Sequence, residues 1–179
     1  AAYWRGHAAN FCSAGRRSSL ARAWNLGLDA AKGDWAVLLA QDALPAHPRW
    51  AARLVAAMAD PQVAAAFGRR VARVGASPPE APRTLKLARR GDFDRLDVDG
   101  RAAFCRFESA CACVRREVWR KAPFRALAGA EGVAWARAAL LSGHALVHVP
   151  SAEVYAAPSA HPLADWARGV RAAARAAVL

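Results

Sequence analysis

"WAVLLAQDALPAHPRW", residues 35–50, decides the fold, because it joins a short apolar run to a helix through a single acidic residue. The run over 35–40 is too short for a helix, which predicts a strand buried on both faces. Pro45 and Pro48 then open a predicted helix over 49–59. Asp42 therefore stands at the carboxyl end of a predicted strand.

Strands and helices alternate along the rest of the chain. Periodicity predicts helices over 18–34, with Ser18 or Ser19 as the cap, and over 115–122 and 131–143. Strands are predicted from 63 to 67 or beyond, and over 109–114, 145–150 and 152–155. This alternation predicts an α/β fold with a mostly parallel sheet flanked by helices in Rossmann-like layers. Ligands of such sheets bind beyond the carboxyl ends of the strands, where Asp42 stands.

The length of 179 residues suits a single domain over 1–179. The stretch 75–103 is rich in proline and mixed charge, which predicts a long surface loop with a short helix or strand inside it. Residues 161–179 have the pattern of a basic amphipathic helix. No apolar run reaches the ~18–20 residues that a membrane-spanning helix needs.

Charge and motifs narrow the classes of function. The chain has 26 Lys and Arg against 14 Asp and Glu, a net charge of +12 that attracts polyanions such as nucleic acid, anionic lipid or phosphorylated small molecules. Its four cysteines match no common zinc spacing. Cys111 and Cys113 alternate in a predicted strand and share a face, so we expect small buried core residues there and a reducing compartment. Glycine-rich dinucleotide, P-loop and nucleophile-elbow motifs are missing, as are the signatures of common nucleic-acid-binding modules.

Two acidic residues leave two interpretations each. Asp42 is either a turn or capping residue, or a ligand that holds a divalent metal over a diphosphate. Glu131 is either a favourable charge at the start of a helix or a general base that positions an acceptor. Local pattern alone favours the first interpretation of each residue.

The order of three segments adds a resemblance. The segments "ARAWNLGLDAAKGDWAVLLAQDALPAHPRW", "FESACACVRREVW" and "AEGVAWARAALLSGHALVHVPSAEVY" resemble family 2 glycosyltransferases of the GT-A fold over about residues 15–155. The bacterial rhamnosyltransferase-like branch, in which a "TQDA" type of sequence replaces D-x-D, looks most similar. The resemblance implies an inverting transferase with a nucleotide-sugar donor and a divalent cation, Mg²⁺ or Mn²⁺. It also implies a cell-envelope polysaccharide or lipid-linked acceptor, at the cytoplasmic face of the plasma membrane.

The resemblance assigns roles to individual residues. It implies that Asp42 contacts the metal and that Glu131 is the catalytic base. The substrate contacts that it implies come from Asn25, Gly27, Gln41, Arg115, Arg116 and Trp119.

The sequence departs from the family pattern in four places. Ala40 replaces the first acid of D-x-D, and Gly132 replaces the usual catalytic aspartate. The histidine expected after the last strand is displaced to His161, and the opening strand should precede Ala1, so we expect an N-terminally truncated domain.

These departures keep a second hypothesis open, a catalytically impaired member that binds nucleotide sugar or glycan. A third, a basic nucleic-acid-binding domain, rests on charge alone and leaves the motif order unexplained. We therefore expect no nucleic-acid partner.

Overall fold

The computed structural model describes residues 12–15, 18–71, 94–96, 107–127 and 129–156. Its elements follow in the order α1 (Leu20–Ala30), β1 (Trp35–Leu39), β2 (Ala43–Pro45), α2 (Trp50–Ala56), β3 (Val63–Val71), β4 (Asp94–Leu96), β5 (Cys111–Arg115), α3 (Arg116–Lys121), α4 (Glu131–Leu141) and β6 (Ala145–Ala156). Ser19 caps α1, since its side chain accepts from the Arg22 N–H at 3.2 Å. The predicted helix over 161–179 and, apart from β4, the predicted loop over 75–103 lie outside the described residues.

The described strands form one sheet in the order β1-β5-β3-β6-β2, and β4 also pairs with β6. The α/β class with helices on the sheet is confirmed, but the expectation of a mostly parallel sheet is wrong. Only β3 and β6 pair in parallel, because β5 runs antiparallel to both β1 and β3, and β2 and β4 run antiparallel to β6. Parallel neighbours require a crossover, whereas an antiparallel strand needs none. The alternation of helices and strands therefore could not reveal a reversed strand between two others.

The sheet separates two cores. On one face α1, α3 and α4 cover the strands, with Leu28, Trp119 and Leu140 among the buried side chains. On the other face Leu54 of α2 and Met58, just after this helix, pack against β3, β5 and β6. Side chains alternate between these faces along β5, where Ala112 and Val114 face one core and Cys111 and Cys113 the other, as the two-residue period requires. The chain thus forms helix–sheet–helix layers.

Aromatic rings connect the layers on the α1, α3 and α4 face. Phe67 meets Phe107 with ring centroids 5.5 Å apart, and Phe107 meets Trp135 at 5.8 Å. Trp135 meets Phe124 at 5.2 Å, and Phe124 meets Trp24 on α1 at 5.1 Å. These side chains supply much of the volume that an alanine-rich core lacks, and each such pair stabilises by about 0.5–1.5 kcal/mol beyond its burial.

The strand β1 is not buried on both faces, which corrects the prediction made from its apolar run. Leu38 faces the core, but Trp35, Val37 and Leu39 on the other face are 37%, 38% and 41% exposed. The reason is its place in the sheet: β1 lies at the end of the described strand order, and α2 packs over β3, β5 and β6 instead.

Two cysteines of β5 are core residues, as the sequence predicts. Cys111 and Cys113 are both fully buried and share the face that α2 covers. Burial raises the pKa of each thiol to about 12. Both thiols are therefore protonated near neutral pH and act as small apolar groups rather than nucleophiles or ligands.

No helix in the described part of the chain is long and apolar enough to cross a membrane.

Candidate functional site

Asp42 lies in a tight turn between β1 and β2. The Ala43 N–H donates to the Ala40 carbonyl at 3.0 Å, which closes the turn. The Asp42 side chain is 47% exposed. The helix α2 begins only at Trp50 and has no side-chain cap, so Asp42 does not cap it. Asp42 is therefore a turn residue and not a helix cap. Its role as a ligand of a divalent cation stays a prediction.

Asp42 shares one edge of the sheet with a charged pair from β3 and the residues before β5. The Arg70 Nη1 is 3.7 Å from the Asp42 Oδ2, and the Arg70 Nε is 3.3 Å from the Glu108 Oε2. Glu108 is held in turn by the Ala110 N–H, which donates to its Oε1 at 3.0 Å. We call this side of the sheet, where β1 and β3 end and β5 begins, the strand-end edge.

A β-bulge at Gly68 sets the directions of the side chains of Arg69 and Arg70, which follow it. Phe67 pairs with His148 but Arg69 pairs with Glu153, so Gly68 alone stands opposite four residues of β6. A Cβ at Gly68 would lie 1.9 Å from the Ala152 carbonyl oxygen, which only glycine avoids. Bulges re-aim side chains in this way. Arg69 forms an ion pair with Glu153, while its neighbour Arg70 reaches Asp42 and Glu108.

Glu131 reaches the strand-end edge from the start of α4. It is 4% exposed, and its Oε2 accepts from the Gly129 N–H at 2.7 Å. Gly132 packs directly on Ser109, since a Cβ there would lie 2.9 Å from both the Cβ and the Oγ of Ser109. Because Ser109 adjoins Glu108, the start of α4 lies beside the residues that precede β5. An aspartate at position 132 does not fit beside Ser109 as it stands.

Arg115 lies at the far end of β5. Trp35 pairs with Arg115 and Leu39 with Cys111, so Arg115 is about 13 Å along the strand from the level at which β1 ends. Its guanidinium donates to the carbonyls of Val63, Met58 and Asp60 at 2.8–2.9 Å. We call this end of β5 the opposite edge.

Arg116 is also fixed at the opposite edge. It is 6% exposed and donates to the carbonyls of Leu28, Gly33 and Asp29 at 2.9, 2.8 and 3.4 Å. These carbonyls lie at and after the end of α1, where helices leave acceptors without partners. The structure therefore does not bring Arg115 and Arg116 to the edge that carries Asp42.

Asn25 joins α1 to the segment after β5. Its Oδ1 accepts from the Trp119 Nε1 at 2.8 Å and the Phe124 N–H at 3.1 Å, and its Nδ2 donates to the Phe124 carbonyl at 2.9 Å. These contacts engage both lone pairs of the amide oxygen, and Trp119 is buried. Gly27 is exposed, and a Cβ there would contact nothing within 4 Å. Of the predicted substrate contacts, only Gln41, an exposed turn residue, adjoins Asp42.

The strand-end edge offers a divalent cation the half-exposed carboxylate of Asp42, whereas the carboxylate of Glu108 faces Arg70 and accepts from the Ala110 N–H. Among the residues that the structure describes, no group of three or more His, Cys, Asp or Glu side chains could hold a metal. Mg²⁺ commonly takes only one or two protein carboxylates and completes its shell with phosphate oxygens and water. Asp42 fits that mode of binding, in which the protein supplies one ligand and a diphosphate supplies others.

The sequence profile of glycosyl transferase family 2 matches residues 6–121. The chain belongs to this family. No protein of curated function matches it. Among solved structures, the mannosyltransferase PcManGT from Pyrobaculum calidifontis, in complex with GDP-Man and Mn²⁺, is similar with a TM-score of 0.64 and 22% identity. A mycobacterial protein is similar with a TM-score of 0.57 and 17% identity.

These similarities establish the fold of the family 2 domain. Both solved structures match 90% of this chain. The chain spans 43% of the mannosyltransferase and 51% of the mycobacterial protein. The GT-A-like architecture expected from the sequence is therefore confirmed.

Sequence reasoning missed two residues of the strand-end edge, Arg70 and Glu108. The signal was present, because Arg70 follows the buried run of β3 just as Asp42 follows β1. Glu108 precedes the buried run of β5, which only the reversed direction of that strand places at the same edge. A mostly parallel sheet would have placed Glu108 at the opposite edge.

Proposed function

We propose that this family 2 domain transfers a sugar from a nucleotide-sugar donor to a hydroxyl of a glycan or lipid-linked acceptor, with inversion. One observation carries the proposal: Asp42, Arg70 and Glu108, from three separate segments, meet at the strand-end edge, and Glu131 begins the helix that packs on the neighbouring Ser109. Ligands of layered α/β folds bind at such edges. The nucleotide sugar and Mn²⁺ present in the similar mannosyltransferase support the same chemistry here.

In the proposed reaction, Glu131 acts as the general base. Its carboxylate takes the proton of the acceptor hydroxyl as that oxygen forms a bond to the anomeric carbon of the donor. The bond between the anomeric carbon and the diphosphate oxygen breaks, and the nucleoside diphosphate leaves with the electron pair. Attack from the face opposite the leaving group inverts the anomeric centre. The Gly129 N–H, which bonds the Glu131 Oε2, holds the carboxylate in one orientation.

Asp42 is the residue that would hold a divalent cation. When bound, the cation would offset the charge of the diphosphate. Gln41, beside Asp42 in the same exposed turn, is the remaining candidate for a donor contact at this edge.

The other predicted substrate contacts receive a different assignment. We propose that Asn25, Arg115, Arg116 and Trp119 are structural, because their polar groups bond carbonyls or one another within the fold. The role of Gly27, the rhamnosyltransferase-like branch, the N-terminal truncation, the envelope acceptor and the place at the inner face of the plasma membrane stay predictions.

Substitution of Asp42 by asparagine tests the donor site. Calorimetric titration with guanosine and uridine diphosphate in the presence of Mn²⁺ should give at least about 10-fold weaker binding of whichever nucleotide the parent chain binds, since a charged ligand contact is lost. Asp34→Asn is the matched control, because Asp34 is an exposed aspartate at the other end of β1. Binding of nucleotide and Mn²⁺ by Asp42→Asn as tight as that of the parent contradicts the proposed metal role.

A second candidate, binding of nucleotide sugar without turnover, is favoured by the packing of Gly132 on Ser109. That packing excludes the aspartate that the family resemblance leads one to expect at position 132. Release of nucleoside diphosphate from GDP- and UDP-sugars separates the two candidates. Turnover by the parent that falls by about 100-fold or more in Glu131→Gln supports the transferase. Binding of donor without turnover in both chains supports the second candidate.

A further inference from the structure

We infer that Arg70 is a phosphate-binding residue of the strand-end edge, and that Glu108 positions its guanidinium. The inference rests on the proposed function, because it assigns to Arg70 the diphosphate of the nucleotide-sugar donor. Arg70 sits between Asp42, the proposed cation ligand, and Glu108. An anion bound to a cation on Asp42 would therefore lie within reach of this guanidinium.

Arg70 has hydrogen-bonding capacity to offer. A distance of 3.7 Å between its Nη1 and the Asp42 Oδ2 exceeds that of a hydrogen bond. Its Nε is buried and faces Glu108 at 3.3 Å, so the donors that a ligand can use are those of the terminal Nη groups. The side chain is 34% exposed. A guanidinium has five N–H donors in a planar fork that suits phosphate oxygens, so Arg70 combines a fixed position with donors that phosphate can use.

Glu108 fixes the position of this cation. One carboxylate oxygen lies 3.3 Å from the Arg70 Nε, and the other accepts from the Ala110 N–H at 3.0 Å. Ala110 precedes β5 and is buried, so Glu108 is anchored to the sheet. The ion pair with Glu108, together with the hydrogen bond from Ala110 to Glu108, holds the guanidinium at the edge. Glu108 is in this sense a positioning residue.

Charge predicts how Arg70 and a cation at Asp42 affect each other. Without ligand, Arg70 is the positive neighbour of the Asp42 carboxylate. A divalent cation on Asp42 repels the guanidinium, and a diphosphate that bridges both positive charges relieves that repulsion. Removal of Arg70 should therefore weaken the binding of diphosphate and strengthen the binding of the cation alone. A residue with a purely structural role does not produce effects of opposite sign.

The test titrates guanosine and uridine diphosphate with Mn²⁺, and Mn²⁺ alone, into the parent chain and into Arg70→Gln. We expect Arg70→Gln to bind the nucleotide about 10- to 100-fold more weakly. We expect it to bind Mn²⁺ alone about 3-fold more tightly, because Asp42 loses its positive neighbour. Glu108→Gln should weaken nucleotide binding by about 3- to 10-fold, and Arg70→Lys should restore part of the affinity lost in Arg70→Gln.

Arg69→Gln is the matched control. Arg69 is the adjacent residue of β3 and pairs with Glu153 instead of Asp42, so its removal lowers the net charge equally. Its affinity for nucleotide should stay within about 2-fold of the parent. Thermal unfolding of each variant checks that the comparison uses folded protein.

The outcomes separate this inference from the proposed function. If Asp42→Asn loses nucleotide binding but Arg70→Gln does not, the inference is wrong and the proposed donor site stands. If Arg70→Gln loses affinity for nucleotide and for Mn²⁺ alike, Arg70 is structural and the inference is again wrong. If Asp42→Asn and Arg70→Gln both bind nucleotide as tightly as the parent, this inference and the proposed donor site are both wrong.

Discussion

Arg116 and Arg70 lie at opposite ends of β5 and are held in different ways. Arg116 is 6% exposed and donates to three backbone carbonyls. The Arg70 side chain is 34% exposed and makes two long ion pairs with carboxylates. Both arginines belong to a strongly basic chain, and the sequence around each has a second arginine beside it. At the opposite edge Arg115 repeats the behaviour of Arg116, with three carbonyl partners of its own.

The difference separates arginines that hold the fold together from an arginine that can bind a ligand. A buried guanidinium whose donors all meet carbonyls is costly to disturb, because the carbonyls lose their partners with it. A guanidinium held only by carboxylates at longer distance can exchange one of them for a ligand. The opposite edge therefore holds the helices to the sheet, and the strand-end edge is where we expect binding. Three substitutions test that division.

Arg116→Met should have the largest effect, on stability alone. It leaves the carbonyls of Leu28 and Gly33, at and after the end of α1, without their side-chain donor, so we expect the free energy of unfolding to fall by about 3 kcal/mol or more. Urea unfolding followed by circular dichroism measures the change. Arg120→Met, an exposed position on the same helix, is the control and should change stability by less than about 0.5 kcal/mol. An Arg116→Met chain as stable as the parent would contradict the structural assignment.

Asn25→Ala should have the second largest effect. It removes three hydrogen bonds to Trp119 and Phe124, and we expect a loss of about 2 kcal/mol in the free energy of unfolding. The affinity of the folded protein for nucleoside diphosphate should not change. Loss of affinity at an unchanged stability would instead restore the substrate contact that the family resemblance implies.

Gly27→Ala, two residues further along α1, is the control for Asn25→Ala. A Cβ at Gly27 meets nothing, so alanine should stabilise the helix by up to about 1 kcal/mol. The two substitutions on one helix should therefore change stability in opposite directions. Weaker nucleotide binding by Gly27→Ala would show that this helix does line a nucleotide site.

Sequence periodicity predicted the described helices, the strands β1, β3 and β5 and the layered class, because burial on one face leaves a repeating pattern, but it missed β2 and divided β6 into two strands. It did not predict the direction of β5, since the same apolar residues suit a parallel or an antiparallel neighbour. The unbroken apolar run of β1 was equally uninformative about burial. A strand at the end of the described order and a central strand can have the same apolar sequence.

The candidate site was predictable where function and strand ends coincide in sequence. Asp42 and Glu131 were proposed as site residues because each stands at the boundary of an element. Asn25, Arg115 and Arg116 do not lie beside Asp42. The motifs "RR" and "N-x-G" do not indicate which groups their side chains contact in the folded chain. Arg116 and Asn25 bond carbonyls or side chains that are 83 to 99 residues away in sequence. Only the tertiary structure assigns those partners.

Gly132→Asp should have the smallest of the three effects and probes the strand-end edge itself. The new Cβ would lie 2.9 Å from Ser109, so we expect overpacking to lower the free energy of unfolding by about 1.5 kcal/mol. Ser109→Gly removes the side chain that it meets, and in the double variant most of that loss should return. A double-mutant cycle in urea measures the coupling. Additive effects of the two substitutions would contradict the contact between α4 and the residues before β5, and with it the place of Glu131 at the edge that carries Asp42.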